Sequence, residues 1–326
     1  MDYESPVFNR KLDLIDKILF IDGTSGSGKS LINSIVSSIE DVELPIWDAL
    51  YEHLSCTYEF NQLNRNTAQA LLTTFSENRL YDSYLGRHTN FRYKDGSSVF
   101  HNSRPLRNIL KIFKEDKEFI SKDIKEKKII LSIGSHHLMS FPSLVIDTFQ
   151  EKLRIIEMTR HPASVIKFWI ERNWGSRMGI DPKDFTLWIK YKEDSLPWFA
   201  ANNEEPYLKM NKFEKMINGL NWINNYRLDG MKKFENIIDK VLLQIEFEKF
   251  CINPRNEISK IERFLDKSSG KDLSKLLKKE RVPRELDMKI LSNEKEEILR
   301  LDIDDRTKNI FLQLCKLYEE KAGFKI

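Results

Sequence analysis

The feature that most constrains this chain is the run Gly23-Thr24-Ser25-Gly26-Ser27-Gly28-Lys29-Ser30, which fits the pattern G-x-x-x-x-G-K-[ST]. Its context matters as much as its letters. Immediately before it stands Lys17-Ile-Leu-Phe-Ile-Asp22, an apolar run of strand length, and after it Leu31, Ile32, Ile35, Val36 and Ile39 recur at helical spacing. Strand, glycine loop and helix in that order open a βαβ unit. The glycines let the backbone curl until successive N–H groups converge on an anion, the helix N-terminus adds its dipole, and Lys29 adds a point charge. Ser30 is placed to bond an oxygen or, with a nucleoside triphosphate, to ligate Mg²⁺.

Further runs of strand length, Lys128–Ile133, Leu153–Met158 and Val241–Ile245, are separated by helical patterns, which predicts a three-layer α/β/α fold with a central parallel sheet. Helical patterns from Asn66 to Leu85 and Leu106 to Lys127 predict a helical insertion over 50–127. The polar segment 86–105, with His88, His101, Arg87, Arg92 and Arg104, is a candidate lid. Residues 163–235, rich in tryptophan (169, 174, 188, 198, 222), read as a helical part that binds an acceptor, with Arg172 and Arg177 flanking Trp174. The 326 residues are expected to form one domain with these insertions.

Composition excludes several classes. Lys and Arg total 53 against 50 Asp and Glu, so no basic field argues for a nucleic-acid partner. The cysteines, Cys56, Cys251 and Cys315, are odd in number and far apart, without metal-ligand spacing, and read as buried thiols of a reducing compartment. No apolar stretch has membrane-spanning length and Met1–Arg10 lacks an apolar signal core, so a cytoplasmic location is expected. Composition does not address the oligomeric state.

The order of elements resembles the sulfotransferase family, P-loop-fold enzymes that move a sulfuryl group from 3′-phosphoadenosine 5′-phosphosulfate (PAPS) to an acceptor. The loop Gly23–Ile32 aligns without a gap to the family's Gly-Thr-Pro-Arg-Ser-Gly-Ser-Thr-Leu-Leu. That match implies that Ser27, Gly28, Lys29 and Ser30 hold the 5′-phosphosulfate, with Lys29 replacing the family's basic residue, whose place falls on Gly26. His136-His137-Leu138 resembles the family's Thr-His-Leu-Pro, where a histidine deprotonates the acceptor, which implies His137 as base with His136 the alternate. Leu153–Pro162 resembles the strand whose exit arginine grips the 3′-phosphate, a task implied here for Arg160. The serine that helps it in the family falls on Phe168, beside Lys167, and Ser164 one turn earlier is the substitute.

Val241–Phe250, Asn253-Pro254 and the helix to Leu265 resemble the family's final strand and helix, with Phe247 in place of a tyrosine and Ala-Gly-Phe324 as a further marker. The family's Arg-Lys-Gly loop has its nearest counterpart in the basic stretch Lys275–Arg284, which includes Lys278, Lys279, Arg281 and Arg284. The resemblance covers 17–40, 128–172 and 240–324, and leaves 50–127 uncovered.

The function implied is transfer of a sulfuryl group from PAPS to an acceptor hydroxyl or amine whose identity stays open. Two alternatives also fit the loop: a Mg²⁺-dependent ATP or GTP phosphotransferase, and a nucleotide-binding regulator without turnover. A carboxylate at the end of a second strand would favour the phosphotransferase. Glu157 is the only acid at that end of Leu153–Met158, and it reads as an ordinary alternating strand residue.

Overall fold

In a computed structural model, which describes residues 6–95, 97–101 and 104–323 (His101 by its backbone alone), the chain builds a central parallel sheet with helices on both faces. Phe324, Ser103 and the His101 side chain lie outside the described residues. The strands are β1 (Lys17–Asp22), β2 (Ile46–Trp47), β3 (Ile130–Gly134), β4 (Leu153–Thr159) and β7 (Leu242–Glu246), in the order β2-β3-β1-β4-β7. β1 lies at the centre, pairing Ile18 with Leu131 of β3 and with Leu153 of β4.

The strands read as unbroken apolar runs because both faces are covered. Their residues divide with a period of two. Ile18, Phe20, Leu131 and Ile155 enter one core, under α3 (Arg65–Tyr84) and α6 (Ser143–Phe149). Leu19, Ile21, Ile156 and Ile245 enter the other, under α1 (Lys29–Val36) and α12 (Pro254–Leu265). Between these helices the chain forms α2 (Leu50–Glu59), α4 (Pro105–Ile109), α5 (Ile120–Lys127), α7 (Pro162–Glu171), α8 (Glu204–Lys209), α9 (Lys212–Lys233), α10 (Glu235–Val241) and α11 (Phe247–Ile252). α13 (Leu273–Lys279), α14 (Met288–Leu299) and α15 (Asp305–Ala322) follow α12.

One expectation needs correction. The region 163–235 is not wholly helical, for it contains an antiparallel hairpin, β5 (Trp188–Tyr191) with β6 (Asp194–Pro197). Its turn places Lys192 at φ 56° and carries no Gly or Asn, so the usual hairpin signal is missing. Around it Trp169, Trp198, Phe199, Tyr207 and Phe311 form a third core. The edge strand β2 is too short to leave a periodic pattern. Within 86–105, Arg87 pairs with Asp82 and Asp116, the Val99 amide donates to the Asn90 carbonyl at 2.8 Å, and Arg104 donates to the Ser38 carbonyl at 3.0 Å.

No helix among the described residues is long and apolar enough to cross a membrane.

Candidate active site

The site is built at the carboxyl end of β1, where a parallel sheet leaves its crevice. The loop turns through positive φ at Gly23, Gly26 and Gly28 (135°, 90° and 97°). All three positions are also closed to a side chain: a Cβ on Gly23 would strike the Met158 carbonyl of β4, one on Gly26 the Phe168 ring, and one on Gly28 the Phe247 ring. The loop is tied down from α7 and from the exit of β4. Trp169 Nε1 donates to the Ser25 carbonyl at 2.9 Å, the Phe168 ring packs over Gly26, and Arg160 Nη1 donates to the Gly26 carbonyl at 3.2 Å.

Inside the loop the Lys29 ammonium donates to the carbonyls of Gly23 and, at 3.2 Å, Thr24. Burial lowers its pKa to about 8, against the opposing pull of Asp22, Glu52 and Glu157. Ser27 is 1% exposed and its hydroxyl has no hydrogen-bond partner. An orphaned buried hydroxyl beside a lysine in a glycine cradle is a donor set that suits an anion's oxygens. Ser30 is exposed on the first turn of α1.

The carboxylates nearest the loop are engaged. Asp22 accepts from Ser135 Oγ (2.8 Å) and from the amides of Leu138 (3.1 Å) and Met139 (2.9 Å). It thereby fixes the turn that carries both candidate histidines. Burial pushes the Asp22 carboxyl above its ordinary pKa. Glu157 is not an idle strand residue, as its position in the run suggested: it forms a buried two-point ion pair with Arg227 of α9, Nη2 to Oε2 at 2.6 Å, and accepts from Gln244 at 2.6 Å. Burial opposes its ionisation, but Arg227 prevails and holds the carboxyl below its usual range.

Beside β3, His136 donates its amide to Glu52 of α2, and its Nδ1 lies 3.7 Å from Glu52 Oε1. His137 packs edge-on against Trp198 at 5.9 Å between ring centres. Its Nδ1 is buried without a partner, and burial lowers its pKa to about 3 while Glu52 pulls the other way. Glu52 itself is kept below the ordinary carboxylate range by His136, against desolvation, which is the largest single influence on it. Sequence reasoning missed Glu52. The one available signal was a carboxylate near the start of an apolar-faced helix in the uncovered segment.

Other expected residues are placed as follows. Arg160 and Arg284 lie over the Phe247 ring at 4.7 and 5.5 Å, so Arg284 is the member of the basic stretch brought beside the loop. Ser164 donates to Glu294 of α14 at 2.6 Å, and Lys167 pairs with Glu297. Arg172 stacks on Phe168 at 3.5 Å, while Arg177 pairs with Asp181 at 2.6 Å. Among the described residues no group of three or more His, Cys, Asp or Glu side chains is arranged to hold a metal ion.

No protein-family model matches the chain, and no curated protein matches it. Among solved structures it is similar to the sulfotransferase domain of the Synechococcus PCC 7002 olefin synthase, with a TM-score of 0.47 and 12% identity over 100% of both chains. It is also similar to the sulfotransferase domain from the curacin biosynthetic pathway, with a TM-score of 0.49 and 14% identity over 96% of this chain and 99% of that one. Sulfotransferase STF9 from Mycobacterium avium gives a TM-score of 0.41 and 12% identity over 90% and 78%.

Proposed function

We propose that this protein is a sulfotransferase that binds PAPS on the loop 23–30 and transfers its sulfuryl group to an acceptor lodged beside β3. The observation that carries the reading is the loop itself: a glycine cradle holding a buried lysine and the orphaned Ser27 hydroxyl, with the Arg160 guanidinium tied to its rim. PAPS, when bound, supplies an activated sulfuryl group and a phosphate leaving group. The residues present fit such a group, since Ser27 lacks a partner and Arg160 and Arg284 offer forked donors beside the loop.

In this reading Lys29 exchanges the Gly23 and Thr24 carbonyls for the phosphosulfate oxygens and meets the charge that grows there during transfer. Arg160 and Arg284 bind the 3′-phosphate. His137 receives the acceptor's proton on its imidazole ring. A desolvated imidazole with a pKa of about 3 is a weak base, and Glu52 is the group that raises its basicity. The remaining contribution is positioning on a rigid turn, which Asp22 supplies through the Leu138 and Met139 amides.

The complete Gly-Lys-Ser sequence favours a second reading, a Mg²⁺-dependent phosphotransferase with Ser30 on the metal. Against it stand the engagements of Asp22 and Glu157, which leave neither carboxylate at the loop disposed toward Ser30. A transfer assay with ³⁵S-labelled PAPS and a mixed panel of hydroxyl and amine acceptors tests the proposal. Labelled product with the wild type, lost in His137→Ala while nucleotide affinity is retained, is the expected result. Label transfer from γ-labelled ATP but never from PAPS contradicts it.

A further inference from the structure

One cavity is lined by the loop and another lies beside the end of β3, and their walls differ in charge. On the β4 side a cavity of about 290 Å³ is lined by Gly23, Thr24 and Ser27 together with Arg160, Arg227 and Lys321. Its one acid, Glu157, is held by Arg227. On the β3 side a cavity of about 340 Å³ has Asp48, Glu52 and Asp184 on its wall beside His53, His136 and His137, and no lysine or arginine. Its remaining surface is largely aromatic, with Trp47, Phe141, Trp174, Phe185 and Trp198 around His137.

The three acids differ in how far they are compensated. Asp48 is paired with Arg79 at 2.9 Å. Asp184 accepts from the amides of Gly179 (3.0 Å) and Thr186 (2.9 Å) and from Trp188 Nε1 (3.2 Å), which orient the carboxylate without a counter-ion. Glu52 faces His136 and feels the charge of Lys29, whose ammonium lies 5.9 Å from the centre of the Trp47 ring. The site does not rest on the carboxylates alone, because the buried His137 Nδ1 on the same wall lacks a partner.

We infer that the acceptor is an amine-bearing molecule with a flat apolar body, bound as its ammonium cation in the β3-side cavity. This rests on the sulfotransferase reading for the word acceptor, and on the cavity alone for the charge. An ammonium is attracted both to aromatic faces and to carboxylates in a site partly closed to water. A carboxylated or phosphorylated acceptor meets like charge there with no arginine or lysine on the wall to receive it. The transferred group and the acceptor are then sorted by sign, anion to the loop and cation to the aromatic wall.

The test is calorimetric titration of the full-length protein with three indoles of similar shape: tryptamine (cation), tryptophol (neutral) and indole-3-acetate (anion). A separate titration uses 3′-phosphoadenosine 5′-phosphate. Tryptamine is expected to bind at least ~10-fold more tightly than indole-3-acetate, with tryptophol between them. Asp184→Asn and Glu52→Gln, each checked for an unchanged circular dichroism spectrum, are expected to narrow that ratio; two variants are used because Asp184 also orders its own turn. Equal binding of the three, preference for the anion, failure of tryptamine to bind, or a ratio unchanged in both variants overturns the inference. If tryptamine is preferred but the nucleotide does not bind, the sulfotransferase reading fails and the cation site stands. If the nucleotide binds and indole-3-acetate is preferred, the inference fails alone.

Discussion

Arg160, at the exit of β4, donates from Nη1 to the carbonyl of Gly26 at 3.2 Å, so the residue expected to grip a distant phosphate also closes the cradle of the loop. The same guanidinium lies over Phe247, the ring that a side chain at position 28 would strike. Arg160→Ala is therefore expected to weaken binding of 3′-phosphoadenosine 5′-phosphate by about 1.5–3 kcal/mol, the range for hydrogen bonds to a charged group. The melting temperature should move little, since Arg160 is only half-buried. Calorimetry beside a thermal melt checks both.

Gly28 tests the cradle from the other side. At φ 97° an alanine is strained, and its Cβ meets the Phe247 ring. Gly28→Ala should cost about 1–2 kcal/mol from the left-handed conformation alone and abolish measurable nucleotide binding. Urea unfolding and calorimetry of this variant separate the two effects.

The Glu157–Arg227 pair links β4 to α9 across the floor of the β4-side cavity. Removing one partner leaves a buried charge, so Arg227→Met is expected to destabilise the protein by about 3–5 kcal/mol. The double variant Glu157→Met with Arg227→Met should recover much of that loss. Denaturant unfolding of the single and double variants gives the comparison, and a double variant no better than the single would contradict a charge-based origin.

Lys29 and His137 set opposite ends of the pH response. Lys29 titrates at about 8 when folded and near 10.5 when unfolded, so between these values the unfolded chain binds the extra proton and stability rises with pH. An anion on the loop favours the charged form. Nucleotide binding above about pH 8 should then take up a proton and weaken as pH rises, which calorimetry in buffers of different ionisation enthalpy measures. His137, at about 3 against an ordinary 6.5, gives stability that is complete above pH 6.5 and is lost as pH falls toward 3. Acid unfolding of His137→Gln should show a shallower slope in that window.

The legible and illegible parts of this molecule divide along physical lines. β1, the loop and α1 are local features, and an apolar run, three glycines and a helical repeat announce them within twenty residues. The turn bearing His136 and His137 was visible for the same reason. Glu52 and Arg227 were not, because each acquires its role from a partner 84 or 70 residues away. Ser164 sat at helical spacing from the expected position, yet the partner that decides its direction, Glu294, arrives on a helix 130 residues later. The hairpin at Trp188–Pro197 escaped because its turn uses Lys192 at positive φ in place of a glycine.

On the proposed function, the loop and its two arginines form a site for a 3′-phosphorylated adenosine donor. Its most direct test is a calorimetric titration with 3′-phosphoadenosine 5′-phosphate in EDTA, beside ATP with and without Mg²⁺. Metal-independent binding of the bisphosphate, at least ~10-fold tighter than ATP under either condition, is the predicted result. Binding of ATP that requires Mg²⁺, with no advantage from the 3′-phosphate, would contradict the account and make the complete Gly-Lys-Ser loop that of a phosphotransferase.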